Sequence, residues 1–418
     1  MPVRTHSIPI QRLQRVDRSL GRLVCTLLQP WRALRRLRRH EREAAAPKRV
    51  LLIKFWGLGS LQLLTPAVAT LRHRHRGAEL VLLTLRENEA FVRGLGVFDD
   101  VLSLDVRVGS WTAMARRILG LIRDLRAASF DRVYDCEFFT SFSAVVSFLT
   151  SAPRTFGFSS TSVWRGDLHT DGVTFNRYWH VARNFRALAG GETGEPVAVD
   201  ELVAFPVQEG DRSGLAKKLG AAGIPEGSGY VVLNPNAGRL SLERRWPPAN
   251  FASLAQRALA ATDRHLVLIG SPAEREYTAG VRATVTGDDG GRLIDLAGEL
   301  SLGELCALLE GAEAVVTNDS GPMHLAAALG APTLGLFGPE TPLMYEPLGA
   351  RAEALYRPTV CSPCINVHQG KIATCIHSRP ECLVNISVDE VWNWVERQVP
   401  GARTPLRLAS PTRRAQDA

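Results

Sequence analysis

Twice along this chain, short runs of β-branched and other apolar residues alternate with longer stretches of helical periodicity, and that alternation leaves few folds open. From residue 48 onward, the segments 50–54, 79–84, 101–104 and 132–134 read as buried strands. Helical patterns follow most of them, most clearly at 111–128. A second series opens at 230–233 and continues through 265–269, 292–294, 314–317 and 333–336. Its helices are expected near 248–262, 273–283, 302–310 and 322–329. Strands joined through helices run parallel, with helices covering both faces of the sheet. A polar stretch with Gly190, Gly191 and Gly194 separates the series, so the expected fold is α/β, with two Rossmann-like domains facing a central cleft. Ligands in such sheets bind beyond the carboxyl ends of the strands, which singles out 55–60, 135–140, 234–246, 270–274 and 317–324.

The formal charge of +8 is unevenly spread. Residues 1–49 hold 13 basic and 3 acidic residues, the body 50–400 holds 33 and 38, and 401–418 hold 4 and 1. A mildly acidic body with basic ends does not describe a nucleic-acid-binding surface. No helix-turn-helix or aromatic-basic sheet pattern accompanies those ends, and no nucleic-acid partner is expected. No apolar run approaches the roughly 18–20 residues that cross a bilayer. Within 11–28, Leu13, Val16, Leu20, Leu23, Val24, Leu27 and Leu28 recur at helical spacing among Arg12, Arg15, Arg18 and Arg22. Trp31, Leu34 and Leu37 continue the stripe beside Arg35, Arg36, Arg38 and Arg39. This pattern fits a helix lying on an anionic membrane surface, and equally a helix docked on its own domain with solvated arginines. A cleavable signal peptide is not expected, because the apolar centre is short and no small-residue cleavage site follows. The domain division expected is a basic amphipathic extension over 1–46, a first domain over 47–200, a second over 201–386, a closing helix over 387–400 and a disordered basic tail over 401–418.

The segment 314–330 carries the most chemistry. A buried strand runs into Asn318-Asp-Ser-Gly-Pro-Met-His324, where Pro322 opens a helix of small residues. The free amides of such a helix start form an anion site, to which Asp319, Ser320, Gly321 and His324 lie close. Together with Leu-Ala-Ala-Ala-Leu-Gly-Ala-Pro-Thr and Phe337-Gly-Pro339, this stretch resembles the nucleotide-sugar donor signature of glycosyltransferase family 9, which includes the ADP-heptose:lipopolysaccharide heptosyltransferases. Other elements resemble the family in order. They are Val50-Leu-Leu-Ile-Lys54, Gly57-Leu-Gly59, Thr65-Pro-Ala67, Asn234-Pro-Asn-Ala-Gly238, Arg244-Arg-Trp-Pro247, Leu268-Ile-Gly270 with Glu274, and Leu296-Ala-Gly298.

The resemblance implies a GT-B fold and an inverting, metal-independent transfer of a sugar, heptose the first expectation, from an ADP-linked or other nucleotide-sugar. No cofactor is required, and the implied acceptor is a lipopolysaccharide-type or other lipid-linked glycan. The implied location is cytoplasmic, peripheral on the inner face of the bacterial inner membrane. It places Asn236, Gly238, Arg244, Glu274, Asp319, Ser320, Gly321 and His324 on the donor, Arg244 at the phosphates and Glu274 at the ribose. Lys54, Gly57 and Gly59 form the acceptor-side loop. The family's loop ends Gly-Asp, the aspartate serving as base, whereas this chain has Gly59-Ser60. A serine has no useful basicity without a partner, so Ser60 leaves the base to be found elsewhere. Glu137, with Asp135 second, stands at the end of another first-domain strand and is the expected replacement. The alternatives are a family member with a different donor and a sugar-nucleotide-binding protein without catalysis.

Cys361, Cys364, Cys375 and Cys382, with His368 and His377 nearby, have spacing that suits a structural zinc, a disulfide or free thiols. Ser387 and Glu390 form a capping box ahead of an apolar face of Val388, Val391, Trp392 and Val395. In GT-B proteins such a closing helix often crosses back to the first domain.

Overall fold

From Val50 on, every residue of β1 (Arg49–Ile53) is apolar and fully buried, which suits only a central strand of a parallel sheet. The computed structural model describes residues 16–37, 46–190, 201–238, 241–287, 291–365 and 374–401. Around β1 lie β2 (Glu79–Leu85), β3 (Asp100–Leu104), β4 (Arg132–Asp135), β5 (Arg154–Ser159) and β6 (Asp171–Thr174). All pair parallel in the order β3-β2-β1-β4-β5-β6. The second sheet comprises β7 (Tyr230–Asn234), β8 (His265–Leu268), β9 (Leu293–Asp295), β10 (Ala314–Asn318), β11 (Thr333–Phe337) and β12 (Ala352–Tyr356). Its order, β12-β11-β10-β7-β8-β9, repeats that of the first sheet. Each sheet reverses its winding once, between β1 and β4 and between β7 and β10. A ligand crevice opens at such a switch point, so the loops after these four strands define the site.

Three strands lie outside the sequence expectation. β5 and β6 follow Pro153 and contain Gly157 and Gly172, and β12 is a half-exposed edge. The segment after residue 200 belongs physically to the first domain. Gln62 Nε2 donates to the Val203 carbonyl at 2.7 Å, Val203 N donates to Thr65 Oγ1 at 3.1 Å, and Phe205 stacks on Phe91. The closing helix (Val388–Gln398) does not cross back. Its Val391, Trp392, Trp394 and Val395 pack into the second domain's core with Trp246 and Phe251, and Arg257 pairs with Asp389. The domains are coupled elsewhere, by His180 Nε2 at 3.1 Å from the Glu346 carbonyl and by the meeting of the helices Leu58–Gln62 and Gly321–Ala328. The tail from 402 lies outside the described residues.

The extension docks on its own domain. Asp17 accepts hydrogen bonds from Ser141 N (3.0 Å) and Phe142 N (2.7 Å) and so caps the helix Ser141–Leu149. Cys25 is buried against Phe148 and Leu168, and Gln29 Nε2 donates to the Gly166 carbonyl at 2.6 Å. Among the described residues no helix is long and apolar enough to cross a membrane.

Candidate active site

On the first-domain side the two switch-point loops are tied together by one carboxylate. Glu137 Oε1 accepts from Lys54 Nζ (2.9 Å), Phe55 N (2.5 Å) and Trp56 N (2.9 Å), while Lys54 Nζ also donates to the Trp56 carbonyl at 2.8 Å. Lys54 and Glu137 are both buried. Breaking such a pair costs about 3–5 kcal/mol because the remaining charge is stranded. Phe139, two residues on, holds a left-handed backbone (φ 58°) that a bulky residue adopts only under constraint. Gly57 (φ 86°) makes the turn into the short helix Leu58–Gln62, whose Ser60 is buried.

Asp135 has a different task from the one expected. It is fully buried, its Oδ2 accepting from Arg165 Nη1 (3.0 Å), His169 Nε2 (3.1 Å) and Ser143 Oγ (2.9 Å), and its Oδ1 from Glu137 N (3.1 Å). Burial alone would raise its pKa. The Arg165 guanidinium and the His169 hydrogen bond outweigh burial and hold the carboxyl below its ordinary range. An ionised carboxylate so fully occupied is a poor base and a good anchor for the 135–140 loop. Because the folded-state pKa is lowered, this stabilisation is complete above the unfolded-state value and fades as pH falls through the lower folded value. Asp135→Asn should therefore cost about 3–5 kcal/mol at neutral pH. The gap from wild type should close in acid; urea melts across a pH series check both.

On the second-domain side, β10 delivers Asn318 and Asp319, and the helix Gly321–Ala328 starts at once. Asn318 Oδ1 accepts from Trp246 N at 2.9 Å, while Trp246 is wholly buried and donates Nε1–H to the Ile386 carbonyl at 3.0 Å. The indole therefore anchors Arg244 and Arg245 beside the β10 loop. Arg244 Nη1 meets Asp319 Oδ2 at 3.2 Å and Nη2 donates to the Ala237 carbonyl at 2.8 Å, leaving Nε buried with no hydrogen-bond partner among the described residues. Ser320 turns its hydroxyl back to Asn234 Nδ2 (3.0 Å) and Thr317 (3.2 Å), so it does not cap the helix that follows. An uncapped first turn beside an unsatisfied guanidinium N–H suits a phosphate. Asn236 is buried at the base of this loop, its Nδ2 donating to the Ile269 carbonyl (2.9 Å) and Thr278 Oγ1 (3.1 Å). Gly238 holds φ 68° with open space where a side chain would project. Glu274 is drawn into a capping box: Oε2 accepts from Ser271 N and Oγ, and Oε1 lies 3.9 Å from Arg245.

The two sides meet. A methyl group at Gly59 would lie 2.5 Å from His324 Cδ2 and 3.4 Å from Gly321 Cα, so the first-domain helix rests against the second-domain one. Burial holds the Tyr345 phenol well above its ordinary pKa, reinforced by Glu340, Asp319 and Glu137 and opposed by Arg244, so groups from both domains act on this one phenol. Glu340, buried and just past Phe337-Gly-Pro339, and Tyr345 were not singled out from sequence, although the motif ending at Pro339 pointed to that turn.

Of the three states that the cysteine spacing suits, the structure has free thiols. All seven cysteines are free. Cys361 Sγ lies 3.8 Å from His377 Nε2, and among the described residues no three His, Cys, Asp or Glu side chains come together to hold a metal. His368 lies outside the described residues.

Two Rossmann-like domains, each a parallel six-stranded sheet, with their switch-point loops facing one another make the GT-B fold of glycosyltransferases. The model of glycosyltransferase family 9 (heptosyltransferase) matches residues 118–374. The chain belongs to that family and is a glycosyltransferase. It is 26% identical over 319 residues to lipopolysaccharide heptosyltransferase 2 of Escherichia coli K12, covering 73% of this chain and 87% of that relative. Among solved structures, E. coli ADP-heptose lps heptosyltransferase II superposes with TM-score 0.67 at 21% identity, covering 84% of this chain and 98% of that one. A family 9 glycosyltransferase from Veillonella parvula gives TM-score 0.67 at 22% identity, covering 84% and 97%.

Proposed function

We propose that the chain transfers heptose from ADP-heptose to a lipopolysaccharide-type acceptor, with inversion and without a metal in the chemistry. The observation that carries this reading is the meeting of the two half-sites, Gly59 on His324, with the Arg244–Asp319 pair and the open first turn of the helix Gly321–Ala328 on the donor side. The leaving diphosphate gains charge as the glycosidic bond breaks. Arg244 and the helix amides are fixed donors that stabilise that charge where it develops. Ser320, Asn236 and Gly238 shape the phosphate loop, and His324 faces the sugar at the seam with the acceptor domain. Glu274 offers Oε1 to the ribose. Glu137 takes the acceptor proton through Oε2, because Oε1 is saturated by three donors. That saturation also favours a second reading, in which Glu137 only braces the 55–57 loop; the base variant discussed below separates the two.

A thermal-shift series with nucleotide-sugars, followed by transfer to a heptose-deficient lipopolysaccharide core, tests the assignment. A selective shift with ADP-heptose supports it, and a shift confined to another nucleotide-sugar overturns the donor. Arg244→Gln removes a charged hydrogen-bonding group worth about 1.5–3 kcal/mol, so the donor KM should rise roughly 10- to 150-fold. A donor KM within twofold of wild type would take Arg244 out of the phosphate site.

A further inference from the structure

The extension buries one face and, among the described residues, leaves another exposed. Gly21, Cys25, Leu28 and Gln29 turn toward the first domain, whereas Leu20, Leu23, Leu27, Trp31 and Leu34 are between 46% and 60% exposed. At 100° per residue these five side chains fall within an arc of roughly 80°, a continuous apolar ridge about 20 Å long. A run of five large apolar side chains on one exposed face is not the scattered exposure normal for a monomer surface. The stretch of sequence that carries it is basic, and on its docked side Arg32 lies 4.0 Å from Asp167. From Arg18 to His40 the sequence has seven arginines and no aspartate or glutamate, and Arg22 is exposed next to the ridge. Asp17, the acid next before this stretch in sequence, is spent inside the molecule on the amides of Ser141 and Phe142. An anionic bilayer offers an apolar interior to the ridge and phosphates to the basic segment that carries it, both at once.

The docked face also fixes where the ridge sits. Asp17 caps the helix that follows the 135–140 loop, and it feels the charges of Arg165 and Glu137, so the extension begins at the acceptor side of the cleft. We infer that the helical extension is an interfacial anchor: Leu20, Leu23, Leu27, Trp31 and Leu34 insert among the acyl chains of an anionic bilayer, and the exposed Arg22 pairs with its phosphates. The extension lies in the plane of the membrane and does not cross it, and it holds the acceptor-side mouth of the cleft at the lipid surface. The anchor does not depend on which sugar is transferred.

The test is flotation of the full-length protein with phosphatidylglycerol-containing vesicles, with pure phosphatidylcholine vesicles as the comparison. Wild type should float with the anionic vesicles. Leu23→Glu/Leu27→Glu/Trp31→Glu should lower the bound fraction at least about tenfold, since each change removes buried apolar area and adds repulsion. These side chains are exposed, so the variant should keep the wild-type melting temperature, its thermal shift with a nucleotide-sugar and its turnover on a water-soluble acceptor. Failure of wild type to float on anionic vesicles would overturn the anchor, as would a variant that floats equally well. A wild-type dimer that the triple variant dissolves to monomer would assign the ridge to a second copy of the chain and also overturn it. The flotation readout needs no catalysis, so failure of the transferase reading would leave it untouched.

Discussion

Glu137→Gln should lower kcat by about two to four orders of magnitude, the usual contribution of a general base, while the donor KM changes only a few-fold. Glutamine fills the same space, and its carbonyl oxygen can still accept from Phe55 N and Trp56 N, where Glu137 Oε1 accepts at 2.5 and 2.9 Å. What the amide loses is the capacity to take a proton. The Lys54 ammonium opposes that step, because a neutral Glu137 leaves it buried with only the Trp56 carbonyl at 2.8 Å. Transfer is therefore easiest if the acceptor proton moves late, as the diphosphate departs. A merely bracing carboxylate predicts near-normal kcat for the glutamine variant, whereas the drop in melting temperature of Glu137→Ala from the stranded lysine is expected under both readings. Single-turnover rates of the glutamine variant with a core acceptor decide between them. A rate within a few-fold of wild type removes Glu137 from the chemistry and leaves it as the brace of the acceptor loop.

Why Glu137 was visible in the sequence and its surroundings were not follows from how each signal arises. β1 and β10 are buried on both faces, and their residues 50–53 and 314–316 read as apolar runs, so the loops after them could be located from sequence alone. The helix Trp111–Ala128 has a helical period over its whole length and starts at a Ser110 cap. β5, β6 and β12 are short or half-exposed, and Gly and charged residues break their pattern. The partners of Asp135 come from 30 and 34 residues away, Arg165 and His169, in a polar loop with no periodicity of its own. Burial of their charges is a tertiary fact that local spacing does not carry. The extension shows the same limit. Its leucine–arginine period was plain, yet which face docks depends on Ser141 and Gly166, 124 and 137 residues from their partners. The two sequence readings of that helix, docked or at a membrane, name opposite faces of one object; the docked face is the one the structure shows.

Gly59→Ala is expected to reduce kcat/KM by about two orders of magnitude or more, from a single methyl group at the seam between the domains. That methyl would sit 2.5 Å from His324 Cδ2, and His324 is buried, so its ring has little room to swing aside. Either His324 leaves its place or the helix Leu58–Gln62 draws back from the helix Gly321–Ala328, and both outcomes part the acceptor loop from the donor. A displacement near 1 Å at reacting groups costs on the order of 10²-fold in rate. The overlap lies between domains, so each domain's own core is intact and the melting temperature should hold within a few degrees of wild type. A double-mutant cycle with His324→Ala gives the cause. If the clash acts through the imidazole, Gly59→Ala adds little once the ring is gone, and the two losses are far from additive. Full additivity, or wild-type kcat/KM in Gly59→Ala, would mean that the domains turn over without this contact, and the seam between Gly59 and His324 would no longer support a shared site.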